Sequence, residues 1–413
     1  MIKLGSYAQG QWVHGTGKTA TLFHAVTGEP VAEASSEGLD FRGMLEYGRR
    51  VGGPALRKMT FHSRARMLKA IAQYLMARKE EFYALSAATG ATKADSWVDI
   101  EGGIGTFFTY SSKGRRELPD ENFYIDGDLE PLSKGGTFIG RHICVPLEGV
   151  AVHINAFNFP VWGMLEKLAP TFLAGMPAIV KPASATSYLT ELVVRALLES
   201  KLLPEGALQL IVGGVGDLFD HLTSQDVVTF TGSAATGRKL RAHPKIIEES
   251  IRFNMEADSL NFCMLGPDVS PEQEEFDLFI KEVAREMTLK SGQRCTAIRR
   301  TFVPEPLVEP VIAALGKRLA GAKLGNPAVE GVRMGPLATK GQVAEVRKSV
   351  EGLLSAASIA WGDLDNFEVV GADKEKGAFF APILLRAADP FGRSEVHDIE
   401  AFEPGESTLT VEA

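Results

Sequence analysis

Cysteine is scarce in this chain, with only Cys144, Cys263 and Cys295 among 413 residues. They are widely separated, odd in number and without paired metal spacing. That excludes a disulfide framework and a structural zinc, and points to a reducing cytoplasm with no metal expected. Apolar runs never reach the ~20 residues that cross a bilayer, and the start, MIKLGSYAQGQW, has no apolar stretch of signal-peptide type. A soluble, cytoplasmic protein with no membrane partner is therefore expected. Basic charge is in deficit, 44 Lys+Arg against 52 Asp+Glu for a net charge of −8, which argues against a general binder of phosphate backbones and so against nucleic acid as a partner. Internal repeats and low-complexity tracts are missing too. What is present, 45% hydrophobic and 23% charged residues, is the composition of a soluble globular protein long enough for two domains.

The pattern changes along the chain. Trp12 to Glu33 alternates turn residues with short β-branched or aromatic pieces, as a meander of surface strands does. From Phe41 to Ala88 apolar positions such as Met67, Ile71 and Leu75 recur at helical spacing. Glu117 to Gly136 reads as a polar loop, and Thr137 to Glu148 as a strand pair or hairpin, either internal or projecting for association. From Gly149 the order becomes strand, turn, helix, repeated: strands at 150–155, 178–180, 208–212 and 227–230, helices at 162–174, 188–200 and around 217–222. Such alternation predicts a parallel sheet covered on both faces, with ligands at the carboxyl ends of its strands. A second alternating unit is expected after a break near Glu256 to Pro267.

Unusual residues stand at those strand ends. Asn158, in Asn155-Ala156-Phe157-Asn158-Phe159-Pro160, is an amide able to donate to an oxyanion, although a turn-forming Asn is the commoner outcome. Lys181, in Val180-Lys181-Pro182-Ala183-Ser184, can bind a ribose or phosphate or simply snorkel to the surface. Phe230-Thr231-Gly232-Ser233-Ala234-Ala235-Thr236-Gly237 is a Gly-containing turn entering a helix, whose free amides could meet a pyrophosphate; it is not a GxGxxG fingerprint. Glu256 lies among small or apolar residues, where burial would raise its pKa and make it a general base, or where it is only a solvated loop acid. Cys295, in Ser291-Gly292-Gln293-Arg294-Cys295-Thr296-Ala297, is by itself more easily read as a small buried hydrophobe than as a nucleophile.

The order FNFP, VKPAS, FTGSAATG, MEADSLN, GQRCTA resembles the aldehyde dehydrogenase superfamily, whose motifs run in this same order. Within it, VHINAFNFP, WGMLEKLAP and REMTLKSGQRCTAIRR look closest to dehydrogenases of CoA-linked semialdehydes in bacterial aromatic-acid catabolism. The resemblance implies the aldehyde dehydrogenase fold, α/β in class. A Rossmann-like cofactor domain would occupy 1–128 and 148–256, a β-hairpin arm for oligomerisation 129–147, and an α/β catalytic domain 257–413. It implies that Cys295 attacks the aldehyde carbon, that Asn158 and the Cys295 N–H hold the oxyanion, and that Glu256 activates the water that releases the acid. CoA-acylating relatives generally lack that glutamate.

Lys181 falls on the residue that reaches the adenosine ribose, and Gly232, Ser233 and Gly237 on the turn near the pyrophosphate. Ser184 stands where NAD-preferring members often carry a Glu, so NADP is expected over NAD. Glu400 and Phe402 fall on the motif that steadies the nicotinamide end. There the match breaks: Glu403 stands where the family has Gly, and the chain stops at Ala413 where the family continues. A catalytic domain cut short is the expectation. An inactive remnant that binds nucleotide or a partner, and a CoA-acylating dehydrogenase, are the alternatives. The expected partners are a small aldehyde, CoA-linked, and further copies of the chain if a full-length form exists.

Overall fold

The computed structural model describes residues 1–387, residue 389 and, as a backbone strand, residues 408–412. Its N-terminal segment serves two sheets: β1 (Ile2–Lys3), β4 (Ala20–Phe23) and β5 (Pro30–Ala34) form a small three-stranded sheet, while β2 (Ser6–Ala8) and β3 (Gln11–Val13) extend a larger one. The expected surface meander is thus split, because Ser6–Ala8 pairs antiparallel with a distant strand, Leu210 opposite Tyr7.

Helix α1 (Phe61–Ala77) follows, and then a helical run that changes pitch twice. That run is α2 (Lys93–Trp97), a π-helical turn over Val98–Gly102, and α3 (Gly103–Glu117). Thr92 caps α2 with a reciprocal Asp95 contact, satisfying two amides that a helix start leaves bare. Residues 117–136 are not the loop expected from their polarity. They contain β6 (Tyr124–Pro131), which pairs with β7 (Ile139–Cys144), so the hairpin spans 124–144 rather than 129–147. Cross-strand hydrogen bonds hold β6 in spite of its Asp, Gly and Glu residues, since strand propensity yields to pairing.

Next come β8 (Ala151–Ile154), α4 (Trp162–Leu173), β9 (Ala178–Lys181), α5 (Ser187–Glu199), β10 (Leu208–Leu210), β11 (Val227–Gly232), α6 (Ala234–Arg241) and β12 (Arg252–Ala257). The helix expected at 217–222 is only a 3₁₀ turn, Leu218–His221. The large sheet has the order β12-β11-β8-β9-β10-β2-β3, parallel from β12 to β10. All four residues of β8 are buried, as a strand covered on both faces requires. One core joins α1, α3, α4 and α5 to a face of this sheet; another lies on the opposite face. The chain runs β8, β9, β10 in one direction and returns to place β11 and β12 on the other side of β8. The switch point therefore lies between β8 and β11, where such sheets bind ligands.

The second alternating unit forms a second sheet that starts with a strand, β13 (Asn261–Met264). It continues through α7 (Glu274–Thr288), β14 (Ile298–Phe302), α8 (Val308–Ala320), α9 (Lys340–Leu353), β15 (Ala357–Trp361), β16 (Ile383–Ala387) and β17 (Thr408–Glu412). Its order is β13-β14-β17-β16-β15. Among the described residues no helix is long and apolar enough to cross a membrane.

Candidate active site

Carboxyl ends of the parallel strands, together with the turn after α7, carry most of the residues singled out in the sequence. Three consecutive residues of that turn are left-handed: Lys290 (φ 56°), Ser291 (φ 55°) and Gly292 (φ 73°). Only Gly takes this conformation freely, so the other two add strain of ~1–3 kcal/mol each and must be held. Asp95 accepts from the Lys290 N–H at 2.7 Å, and Ser291 Oγ donates to the Gly335 carbonyl at 2.7 Å. Arg299 Nη1 donates to the Gly292 carbonyl at 3.0 Å. Beyond the turn, Asn261 Nδ2 donates to the carbonyls of Cys295 (2.7 Å) and Ala297 (3.0 Å). Cys295 emerges from this scaffold exposed, not as the buried hydrophobe its residue type suggests.

Asn158 reaches the same turn: its Nδ2 donates to the Gln293 carbonyl at 3.1 Å, and its Oδ1 accepts from the Phe159 N–H at 3.1 Å. Glu256 lies near the end of β12 and is exposed, the solvated of the two readings its sequence left open, on a strand rather than in a loop. Exposed and half-buried residues alternate along β12, and Glu256 falls on its outward face.

The electrostatics of the thiol also differ from expectation. Although the residue is exposed, desolvation at the sulfur pushes the Cys295 thiol up, and the carboxylates of Glu256 and Glu166 push it further; Arg294 opposes them only weakly. Arg294 turns its guanidinium to Glu286 at 2.7 Å instead.

Two residues absent from the sequence reading complete this cluster. Lys167 of α4 donates to Thr231 Oγ1 at 2.8 Å; burial pushes its pKa down, against the pull of Glu166, Glu256 and Cys295. Glu166 accepts from the Trp162 indole N–H at 2.8 Å. A charged pair inside the otherwise apolar run of 164–173 was the signal available for both, because charges rarely sit in such a stripe unless paired or functional.

The remaining positions line the carboxyl edge of the large sheet. Lys181 ends β9, with its pKa pushed down by burial and no hydrogen-bond partner for its ammonium among the described residues. A half-buried ammonium of this kind suits a ribose or phosphate oxygen. Ser184 is half-buried in the 3₁₀ turn Ser184–Thr186. Ser233 caps α6, accepting from the Thr236 N–H. Gly237 is needed for packing, since a Cβ there would meet Met255 at 2.8 Å, and Gly232 would bring one within 2.9 Å of the Phe230 ring. At the helix start, Asp258 (φ 49°) places both carboxylate oxygens on the Ala234 N–H at 3.0 and 3.1 Å. That carboxylate occupies an amide where a pyrophosphate is expected, so these residues fit a dinucleotide provided Asp258 gives way. Glu400 and Phe402 lie outside the described residues.

Comparison with known proteins follows the same lines. Residues 12–405 match the model of the aldehyde dehydrogenase family. A 3,4-dehydroadipyl-CoA semialdehyde dehydrogenase of Aromatoleum evansii is 43% identical over 404 residues, covering 98% of this chain and 78% of that protein. A non-phosphorylating aspartate-semialdehyde dehydrogenase of Halomonas elongata is 27% identical over 93% of this chain and 74% of its own length. Among solved structures, a 3,6-anhydro-L-galactose dehydrogenase in complex with NAP superposes with a TM-score of 0.83 at 20% identity, covering 100% of this chain and 82% of the other. A betaine aldehyde dehydrogenase from Staphylococcus aureus in complex with NAD+ gives a TM-score of 0.80 at 22% identity, covering 100% and 79%. The shared architecture is the aldehyde dehydrogenase fold.

Proposed function

The chain belongs to the aldehyde dehydrogenase family, and from that premise we propose that it catalyses the NAD(P)-dependent oxidation of a CoA-linked semialdehyde to the carboxylic acid. The observation that carries this reading is the meeting of Asn158 with the braced turn of Cys295 at the carboxyl edge of the sheet. Residues 1–128 and 148–256 are assigned to cofactor binding, 257–413 to catalysis and the hairpin to association with further copies. The CoA-linked substrate is supported by the 43% identical 3,4-dehydroadipyl-CoA semialdehyde dehydrogenase.

In this reading the Cys295 sulfur adds to the aldehyde carbon as its proton leaves, giving a thiohemiacetal whose oxygen carries the negative charge. Asn158 Nδ2 turns from the Gln293 carbonyl to donate to that oxygen, beside the Cys295 N–H, an arrangement worth roughly 3–4 kcal/mol per donor in other acyl-transfer sites. Lys181, Ser184, Gly232, Ser233 and Gly237 hold the cofactor, with Glu400 and Phe402 at its nicotinamide end. Bound NAD(P) supplies the acceptor for the hydride. Cys295 then holds the acyl group as a thioester, and Glu256 takes a proton from the water that cleaves it. An exposed carboxylate near the sulfur favours water over CoA as the acyl acceptor.

The deciding experiment supplies the chain with a CoA-linked ω-semialdehyde and NADP. The expected result is one reduced nicotinamide per free acid, with Cys295→Ala abolishing it. In Glu256→Gln, a burst of about one reduced nicotinamide per chain should precede a stall at the thioester. Product that appears as a new thioester of added CoA supports the acylating alternative, and cofactor binding without turnover supports the inactive remnant. Ser184 is neutral, so the 2′-phosphate of NADP meets no carboxylate there. Ser184→Glu should lower the NADP/NAD ratio of kcat/KM by about tenfold or more, equivalent to one added charge repulsion of ~1.4 kcal/mol; an unchanged ratio removes the basis for NADP.

A further inference from the structure

Two carboxylates, Asp95 and Asp99, are buried one helical turn apart, 2% and 0% exposed. Like charges at this spacing repel, and each buried carboxylate needs compensating donors, so such a pair persists only where specific groups require it. Those groups are backbone amides of the two turns that meet at the site. Asp99 Oδ1 accepts from the Val161 N–H (3.1 Å) and the Trp162 N–H (2.8 Å), at the start of the helix that follows Asn158-Phe159-Pro160. Asp95 Oδ1 accepts from the Lys290 N–H (2.7 Å), the first of the three left-handed residues before Cys295, while its Oδ2 is fixed by Thr92. Lys290 ties the two together, its ammonium lying 5.5 Å from the Phe159 ring centroid and attracted by the Asp99 carboxylate. The π-helical turn of 98–102 begins between these aspartates, at a place in the chain where local pitch changes often mark functional sites.

We propose that Asp95 and Asp99 are positioning residues of the oxidation: from the buried face of one helical run, Asp95 fixes the strained turn carrying Cys295 and Asp99 the turn carrying Asn158, so that this run sets the distance between nucleophile and oxyanion donor. The inference rests on the roles assigned above to Cys295 and Asn158.

Its test uses p-nitrophenyl acetate, which acylates a thiolate without any cofactor. The sulfur bonds to the acetyl carbon, the ester C–O bond breaks and p-nitrophenolate leaves, after an oxyanion of the kind Asn158 would hold. Asp99→Ala should slow the burst of p-nitrophenolate about 10–100-fold, the range of a misplacement near 1 Å. The same change made in Asn158→Ala should cost less than about 2-fold, because a residue that acts through Asn158 has nothing left to position. Asp99→Asn keeps an acceptor oxygen and should recover most of the rate. Asp95→Ala should instead slow both the burst and the carbamidomethylation of Cys295 by iodoacetamide. Where Asp99→Ala does not fold, Asp99→Leu, which keeps the volume and removes the acceptor, takes its place in the cycle. Equal losses with and without Asn158, or an unchanged burst in Asp99→Ala, overturn the proposal. A burst that survives Cys295→Ala overturns the functional reading itself, whatever the cycle shows.

Discussion

At the scale of single residues, the charges around Cys295 oppose ionisation of its sulfur. Glu256 and Glu166 both disfavour the thiolate, and Arg294 is occupied by Glu286. Lys167, its ammonium destabilised by burial, is drawn towards the same carboxylates and the thiol. The surroundings of Cys295 thus favour the thiol over the thiolate. Glu166→Gln removes one of the two opposing charges and should lower the thiol pKa. Because alkylation follows the thiolate fraction, carboxymethylation near pH 8 should accelerate about 2–10-fold; a rate equal to wild type across the pH range would take Glu166 out of this balance.

Individual elements are tuned to the site by buried polar contacts rather than by propensity. His153, on β8, has one ring nitrogen 3.0 Å from Thr171 Oγ1 on α4, and burial holds its pKa down at about 3 against 6.5 for a free histidine. Its neutral form is the one that fits. Between those two values the unfolded chain binds a proton that the folded chain refuses, so stability falls as pH drops below 6.5, by about 1.4 kcal/mol per pH unit from this residue. His153→Gln should flatten that part of the profile in denaturant titrations at pH 4.5 and 6.5, and an unaltered slope would show that other groups dominate. Gly102 serves the neighbouring contact: a Cβ there would stand 2.2 Å from the Trp162 ring, so the π-helical turn can approach α4 only with glycine at that place.

Across the whole molecule, the hairpin stands out as surface that the other described residues do not cover. Leu132, Phe138, Ile139, Ile143 and Val145 are all more than half exposed, and apolar side chains grouped this way mark an association surface. A second copy of the chain is the expected occupant. Phe138→Asp with Ile143→Asp should shift the sedimentation profile from oligomer to monomer without loss of helix signal; a wild-type chain that already sediments as a monomer would leave the arm without this role.

Motif order determined much of this protein in advance. The short apolar strands followed by turns announced the parallel sheet, and Asn158, Lys181 and Gly232 marked where its carboxyl edge would lie, because strand ends and turn residues are local properties of sequence. Burial and partnership are not local. The sequence could not tell that Glu256 lies exposed on an edge strand, or that Asp258 caps the helix expected to receive a pyrophosphate. Nor could it place Lys167 and Glu166 beside a sulfur more than a hundred residues away. Polar residues hid β6, which exists only through its pairing with β7. The bracing of Asn158 and Cys295 by Asp99 and Asp95 was decided by tertiary structure alone, since the contacts join residues 62 and 195 positions apart. Sequence named the proposed reacting groups through short motifs, and packing chose their neighbours, their charge environment and the backbone that holds them.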